Sequence, residues 1–212
     1  LGILNPALAR LTPWMMEILS ESLAETGVSV TDVTVDAMVS WTQFYKNIPM
    51  GLIVFVLLCS GSFTSEYQKG TLIPAVTKGL SRRKILLAKS AMMAAVWTGL
   101  YILCAGITYA YNAYFWDNGI AGNLFFAAAG TWLFGVWAAA LQVFFSSVSK
   151  SSSQVLLGTG GVALGAYLLG IIPKLADVLP VKLMNGTALL QKAADPGDYY
   201  GCIAVAGAMV LL

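Results

Sequence analysis

The chain has 212 residues, of which 58% are hydrophobic and only 10% charged, with a mean hydropathy of +0.76. Soluble domains carry about 25% charged residues, so this composition excludes an ordinary soluble domain and describes a membrane protein. The net charge of +2 implies neither a nucleic-acid partner nor an acidic substrate, and the absence of His removes the commonest general base and metal ligand.

Residues 1–47 read as an extracytoplasmic amphipathic segment. Asn5-Pro6 and Thr12-Pro13 each resemble a helix cap followed by proline at the first helical position, and Leu8, Leu11, Met15, Ile18 and Leu19 follow a helical stripe. Short amphipathic helices are therefore expected, with Gly27 ending one of them. Glu17, Glu21 and Glu25 recur every four residues as a solvated acidic ridge rather than a cation site. Val28 to Val35 alternates weakly before a second helical stretch leads into Trp41 and Phe44.

Residues 48–212 read as the transmembrane domain, with apolar segments near 48–63, 85–111, 122–146, 154–172 and from about 199 to the end. The first is short, so its helix is expected to start before Ile48, with Trp41, Phe44 and Tyr45 as an interfacial belt. The second ends in Tyr109, Tyr111, Tyr114, Phe115 and Trp116, and its Lys89 can snorkel to the surface. In the later spans Gly130, Gly135 and Ala138 to Ala140 allow close approach. Gly158, Gly160, Gly161, Gly165 and Gly170 are expected on a helix face that packs closely, with Gly161 and Gly165 at small-xxx-small spacing; packing within the bundle is favoured and a dimer interface is the sharper alternative. Pro173 and Pro180 bracket a short segment expected to dip back toward the membrane. Asn185-Gly186-Thr187 fits either a glycosylation sequon or a turn, and Asp195-Pro196-Gly197-Asp198 reads as a turn before the last helix. That last run offers about 21 Å of helix against a hydrocarbon core of about 30 Å, so a full span is expected to continue past Leu212. An opening without methionine likewise reads as that of a fragment.

Charge sets the topology. The loop 64–84, with Lys89 and the connection 147–153, holds Lys69, Lys78, Arg82, Arg83, Lys84, Lys89 and Lys150 against Glu66 alone, whereas the alternate segments hold five basic and nine acidic residues. The positive-inside rule makes the loop cytoplasmic and residues 1–47, 112–121 and 173–198 external.

The chemistry of the spans is sparse. Transporters driven by protons or ions keep carboxylates, His or Lys within the bilayer, and here only Lys89 approaches it. Intramembrane hydrolases need a base for their nucleophile, and the serines here have none. No catalytic or metal-binding residue is expected. Cys59, Cys104 and Cys202 lie in apolar runs without metal-ligand spacing and read as small hydrophobes. A channel or secondary carrier would draw its polar lining from Asn112, Asn123, Gln142 and Gln154. Trp97, Tyr101, Trp132, Phe134 and Trp137 could line a path for an amphipathic substrate, although lipid-facing placement is favoured for them.

At Glu66, Gly70-Thr71-Leu72, Ser81-Arg82 and Lys89 the chain resembles the permease subunits of the ABC-2 type transporter family, in which an acid, a Gly-Thr-Leu and a later Ser-Arg precede a lysine opening the next span. The order of spans resembles that family's six-helix permease without its first helix. Gly79 stands where the family often has proline. The resemblance implies an all-α polytopic helix bundle with about five spans, working as a non-enzymatic transport subunit of an ATP-binding cassette exporter in a bacterial or archaeal cell membrane. Its implied partners are a separate ATPase, which would hold ATP and Mg, and a second permease copy, with no cofactor on this chain. The coupling loop would offer Glu66, Gly70, Thr71, Leu72, Ile73, Val76, Ser81 and Arg82 to the ATPase, the apolar edge of Leu72, Ile73 and Val76 docking in a groove. Arg83, Lys84 and Lys89 would anchor at the membrane interface. Arg82, Arg83 and Lys84 could instead serve only as lipid anchors, worth about 1 kcal/mol each. A membrane scaffold or sensor using the same loop without transport is the remaining alternative.

Overall fold

The computed structural model describes residues 2–24, 36–61, 81–149 and 151–211, and these are helical with no strand among them. Five long helices dominate: α1 (Leu4–Ala24), α2 (Ala37–Cys59), α3 (Arg82–Phe115), α4 (Leu124–Val148) and α5 (Ser152–Leu169). Short elements follow as α6 (Pro173–Ala176), 3-10 turns at Pro180–Met184 and Pro196–Tyr199 flanking α7 (Gly186–Leu190), and α8 (Tyr200–Leu211). Among the described residues α2, α3, α4 and α5 are long and apolar enough to cross a membrane. The fifth apolar run, α8, is 12 residues as described.

Local chemistry sets the helix starts. Asp36 accepts the Val39 N–H at 3.1 Å and opens α2, while the Ser81 and Ser151 hydroxyls each accept an N–H three residues on, at 3.4 Å, to open α3 and α5. Asn123 precedes α4 at φ 48, a left-handed conformation asparagine tolerates. At 34 residues α3 is about 51 Å long, well beyond the bilayer core.

The amino-terminal segment departs from expectation. Instead of two short helices capped at Asn5 and Thr12, α1 runs unbroken through Pro13. The capping groups are engaged elsewhere: Asn5 Oδ1 accepts a 2.7 Å bond from Asn47 Nδ2, and Thr12 Oγ1 donates back to Leu8 O at 2.8 Å. Leu8, Leu11, Met15 and Ile18 are exposed, and α1 packs instead through Gly2, Asn5, Pro6 and Ala9. Gly27 and 28–35 lie outside the described residues.

The first span likewise starts at Ala37, and the expected interfacial belt is core: Trp41, Phe44 and Tyr45 are only 2–3% exposed. They belong to a stripe with Ile48, Leu52 and Phe55 at helical spacing, all buried against the rest of the bundle. Phe44 meets Tyr101 and Phe55 meets Trp97, with ring centroids 6.3 and 5.4 Å apart. In a membrane bundle such rings are favoured in the helix seams by van der Waals packing and edge-to-face contacts, worth roughly 0.5–1.5 kcal/mol for each aromatic pair.

The bundle is organised around α4, which touches α2, α3, α5, α7, α8 and the 180–184 turn. Gly135 admits the Trp97 ring where any Cβ would overlap it, and Gly158 admits Phe145 in the same way. Gly160, Gly161 and Gly165, by contrast, face open space, so the expected close-packing face at Gly161 and Gly165 is not formed among the described residues. The connection 173–199 folds onto the bundle through Pro180, Leu183, Leu189 and Leu190 rather than through its first turn. Gly186 lies beneath Tyr45, Tyr199 Oη donates to Asn185 O at 3.1 Å, and Asp195 and Asp198 form a reciprocal cap.

Candidate functional site

The loop end of the bundle, where α2 finishes and α3 begins, carries what the structure describes of the predicted site. Glu66, Gly70, Thr71, Leu72, Ile73 and Val76 fall within 62–80, outside the described residues. Ser81 is described: its carbonyl accepts the N–H groups of Lys84 and Ile85 at 3.0 and 3.3 Å, and its hydroxyl caps the same turn. Arg82 is the first residue of α3, Arg83 and Lys84 are exposed, and Lys89 is half-buried further along the helix.

Three successive basic residues at a helix amino terminus oppose the macrodipole, which favours anions there by about 0.3–1 kcal/mol each. No acid offsets them in the first turn of α3. Helix stability therefore does not explain this placement, whereas an anionic surface beside the loop end would. The two connections at this end meet: a Cβ on Gly61 would lie 3.8 Å from Ser152 Oγ, bringing the exit of α2 to the start of α5.

The opposite end holds the described acids. Asp36, Asp117, Asp177, Asp195 and Asp198 flank the far termini of the spans, and α1 carries Glu17 beyond Arg10, whose guanidinium lies 4.1 Å over the Phe115 ring. Lys182 binds Asp177 at 2.7 Å and the Asp198 carbonyl at 2.9 Å. Burial, with the Cys202 thiol and Asp198 adding to it, pushes the Tyr199 phenol above its ordinary value.

Two apolar grooves flank α2. One, of about 560 Å³, lies between α1, α2 and α3 and includes Phe55, Trp97, Tyr101 and Cys104; the other, about 390 Å³, lies between α2, α4 and α5 and includes Val56, Phe134 and Thr159. Trp97, Tyr101, Phe134 and Trp137 are at most 7% exposed, which corrects the expectation that they face lipid. Trp97 Nε1 and Tyr101 Oη donate to the α4 carbonyls of Trp132 and Ala128 at 3.0 and 2.9 Å, while half-buried Trp132 donates to Thr98. Their rings lie in the helix seams because these polar edges find partners there.

Of the four candidate pathway residues, Asn123 and Gln154 are exposed at helix starts, and Asn112 and Gln142 are fully buried on different helices. Sequence position singled out these last two without indicating what they touch. Among the described residues no group of His, Cys, Asp and Glu could hold a metal ion.

Four apolar spans, three of them packed on the fourth, with basic residues gathered at one end, define an integral membrane protein built as a polytopic helix bundle. The family model described as ABC-2 family transporter protein matches residues 14–200, so the chain belongs to that family and is a membrane-embedded permease of an ABC transporter. No curated protein and no solved structure matches the chain.

Proposed function

We propose that this chain is the transmembrane subunit of an ATP-binding cassette exporter, moving its substrate with energy from ATP hydrolysed on a separate subunit. The observation that carries the proposal is the run Arg82, Arg83 and Lys84 at the capped start of α3, at an end of the bundle where the exit of α2 and the start of α5 also meet. The loop between α2 and α3 is the ATPase contact. Leu72, Ile73 and Val76 form its apolar edge, Glu66 and Arg82 orient it, and Gly70, Thr71 and Ser81 shape its ends. Arg83, Lys84 and Lys89 hold it against anionic headgroups or an acidic partner surface.

ATP and Mg belong to the partner, and two permeases work with two ATPases. Closure of the ATPase pair displaces the loop, and α2 and α3, joined to it at both ends, carry the displacement across the membrane as rigid rods. In this arrangement 64–84 is cytoplasmic, residues 1–47 are outside, and the complex lies in a bacterial or archaeal cell membrane.

Co-expression with candidate ATPase subunits and capture from detergent tests the proposal. Wild type is expected to retain an ATPase, while Glu66→Ala weakens and Leu72→Asp abolishes retention without unfolding the bundle. Retention of no ATPase by folded wild type would overturn it.

A further inference from the structure

Gln142 lies deep in α4 and is fully buried. Its Nε2 donates a 2.6 Å bond to the carbonyl of Val56 in the last turn of α2. That carbonyl already accepts the Ser60 N–H at 3.0 Å, the bond that ends the helix, and a carbonyl oxygen has lone pairs for both donors. The loop 64–84 begins four residues after Ser60, so one side chain from α4 grips the turn of α2 that leads into it.

A neutral amide in an apolar span is costly unless bonded, and since its buried Oε1 finds no partner among the described residues, the Nε2 bond to Val56 is what holds this side chain. The grip is therefore persistent. On the same helix Thr131, eleven residues earlier and about 16 Å away along the axis, lies on nearly the same face. Its Oγ1 lies 3.2 Å from Leu183 O in the connection that covers the opposite end. Both Thr131 and Gln142 are fully buried. Thus α4 holds the loop-side exit of α2 with one polar side chain and meets the far connection with another, Thr131, whose single hydroxyl proton is shared between Leu183 O and the Ala127 O of its own helix at 3.1 Å.

We infer that Gln142 is a positioning residue that makes the last turn of α2 and helix α4 move as one body, so that displacement of the loop reaches the far connection through α4. The inference rests on the loop being the ATPase contact. Gln142 itself touches neither nucleotide nor substrate. Gln142→Met keeps the length and packing of the side chain but cannot donate, so it removes the grip with little change of volume.

The test uses the full chain with its ATPase in nanodiscs, in a background where Cys59, Cys104 and Cys202 are alanine. Spin labels are placed at Leu58→Cys on α2 and Val148→Cys on α4, both well exposed. Distances between them are measured without nucleotide and with ATP and vanadate. With Gln142 present the distribution is expected to stay narrow and unchanged by nucleotide; with Gln142→Met it shifts or broadens when nucleotide is added, although ATPase capture is unchanged. A nucleotide-dependent shift in the wild type, or an equally rigid Gln142→Met, would overturn the inference. Should the wild type capture no ATPase, the proposed function fails and the grip is tested on the chain alone. Hydrogen exchange at the end of α2 is then expected to rise about tenfold in Gln142→Met, as loss of one buried hydrogen bond implies, and unchanged exchange would overturn the inference.

Discussion

Glycine is interchangeable in composition and not in place. Gly135 sits where a Cβ would overlap the Trp97 ring, and Gly161 faces open space on a helix surface. Gly135→Ala is expected to destabilise the bundle by about 1–3 kcal/mol through overpacking, and Gly161→Ala to stabilise it by about 0.5–1 kcal/mol through helix propensity. Unfolding midpoints in detergent check both. Tyr199 gives a second test. Its raised value means that the folded state favours the neutral phenol, so its stabilisation is complete below the unfolded value of about 10 and is lost as pH rises from there through the raised folded value. Melting between about pH 8 and 11 should therefore weaken with rising pH, and Tyr199→Phe should flatten the profile. Neither effect was legible in the sequence, because which glycine meets a ring, and which tyrosine is buried, depends on helices distant along the chain.

At the level of elements, the exit of α2 and the start of α5 are neighbours. The 3.8 Å between a Cβ on Gly61 and Ser152 Oγ is within reach of disulfide geometry after small adjustment. In a cysteine-free background, Gly61→Cys with Ser152→Cys should cross-link within one chain on oxidation, and failure to do so would separate the two connections. Spans were legible from apolar length, and the stripe Trp41, Phe44, Tyr45, Ile48, Leu52 and Phe55 was present to mark an inward face. It was obscured by polar neighbours such as Lys46 and Asn47, which made the segment read as interface. The continuity of α1 through Pro13 was not legible, since Asn5 and Thr12 are as able to cap a helix as to bond within a bundle, and only tertiary contact decides. The glycines of α5 misled for a related reason: small-residue spacing marks a face that permits close approach without supplying a helix to approach it.

For the whole molecule, charge and hydropathy carried most of the fold, since four spans and the gathering of basic residues at one end follow from the membrane as solvent. The proposed ATPase contact at 64–84 rests on family resemblance alone, for Gly70, Thr71 and Leu72 have no chemistry that would single them out. Orientation has a direct test. Impermeant maleimide applied to intact cells should label Asp117→Cys, while Lys84→Cys should react only after permeabilisation; the reverse pattern would invert the topology.

The central claim is that ATP hydrolysis on a partner acts on this bundle through the loop between α2 and α3. The most direct measurement is ATP turnover by the co-purified ATPase in nanodiscs holding either the wild-type chain or Leu72→Asp. Turnover that depends on the wild-type chain and collapses with Leu72→Asp, while the bundle's melting is unchanged, is the predicted result. Equal turnover with both chains would contradict it.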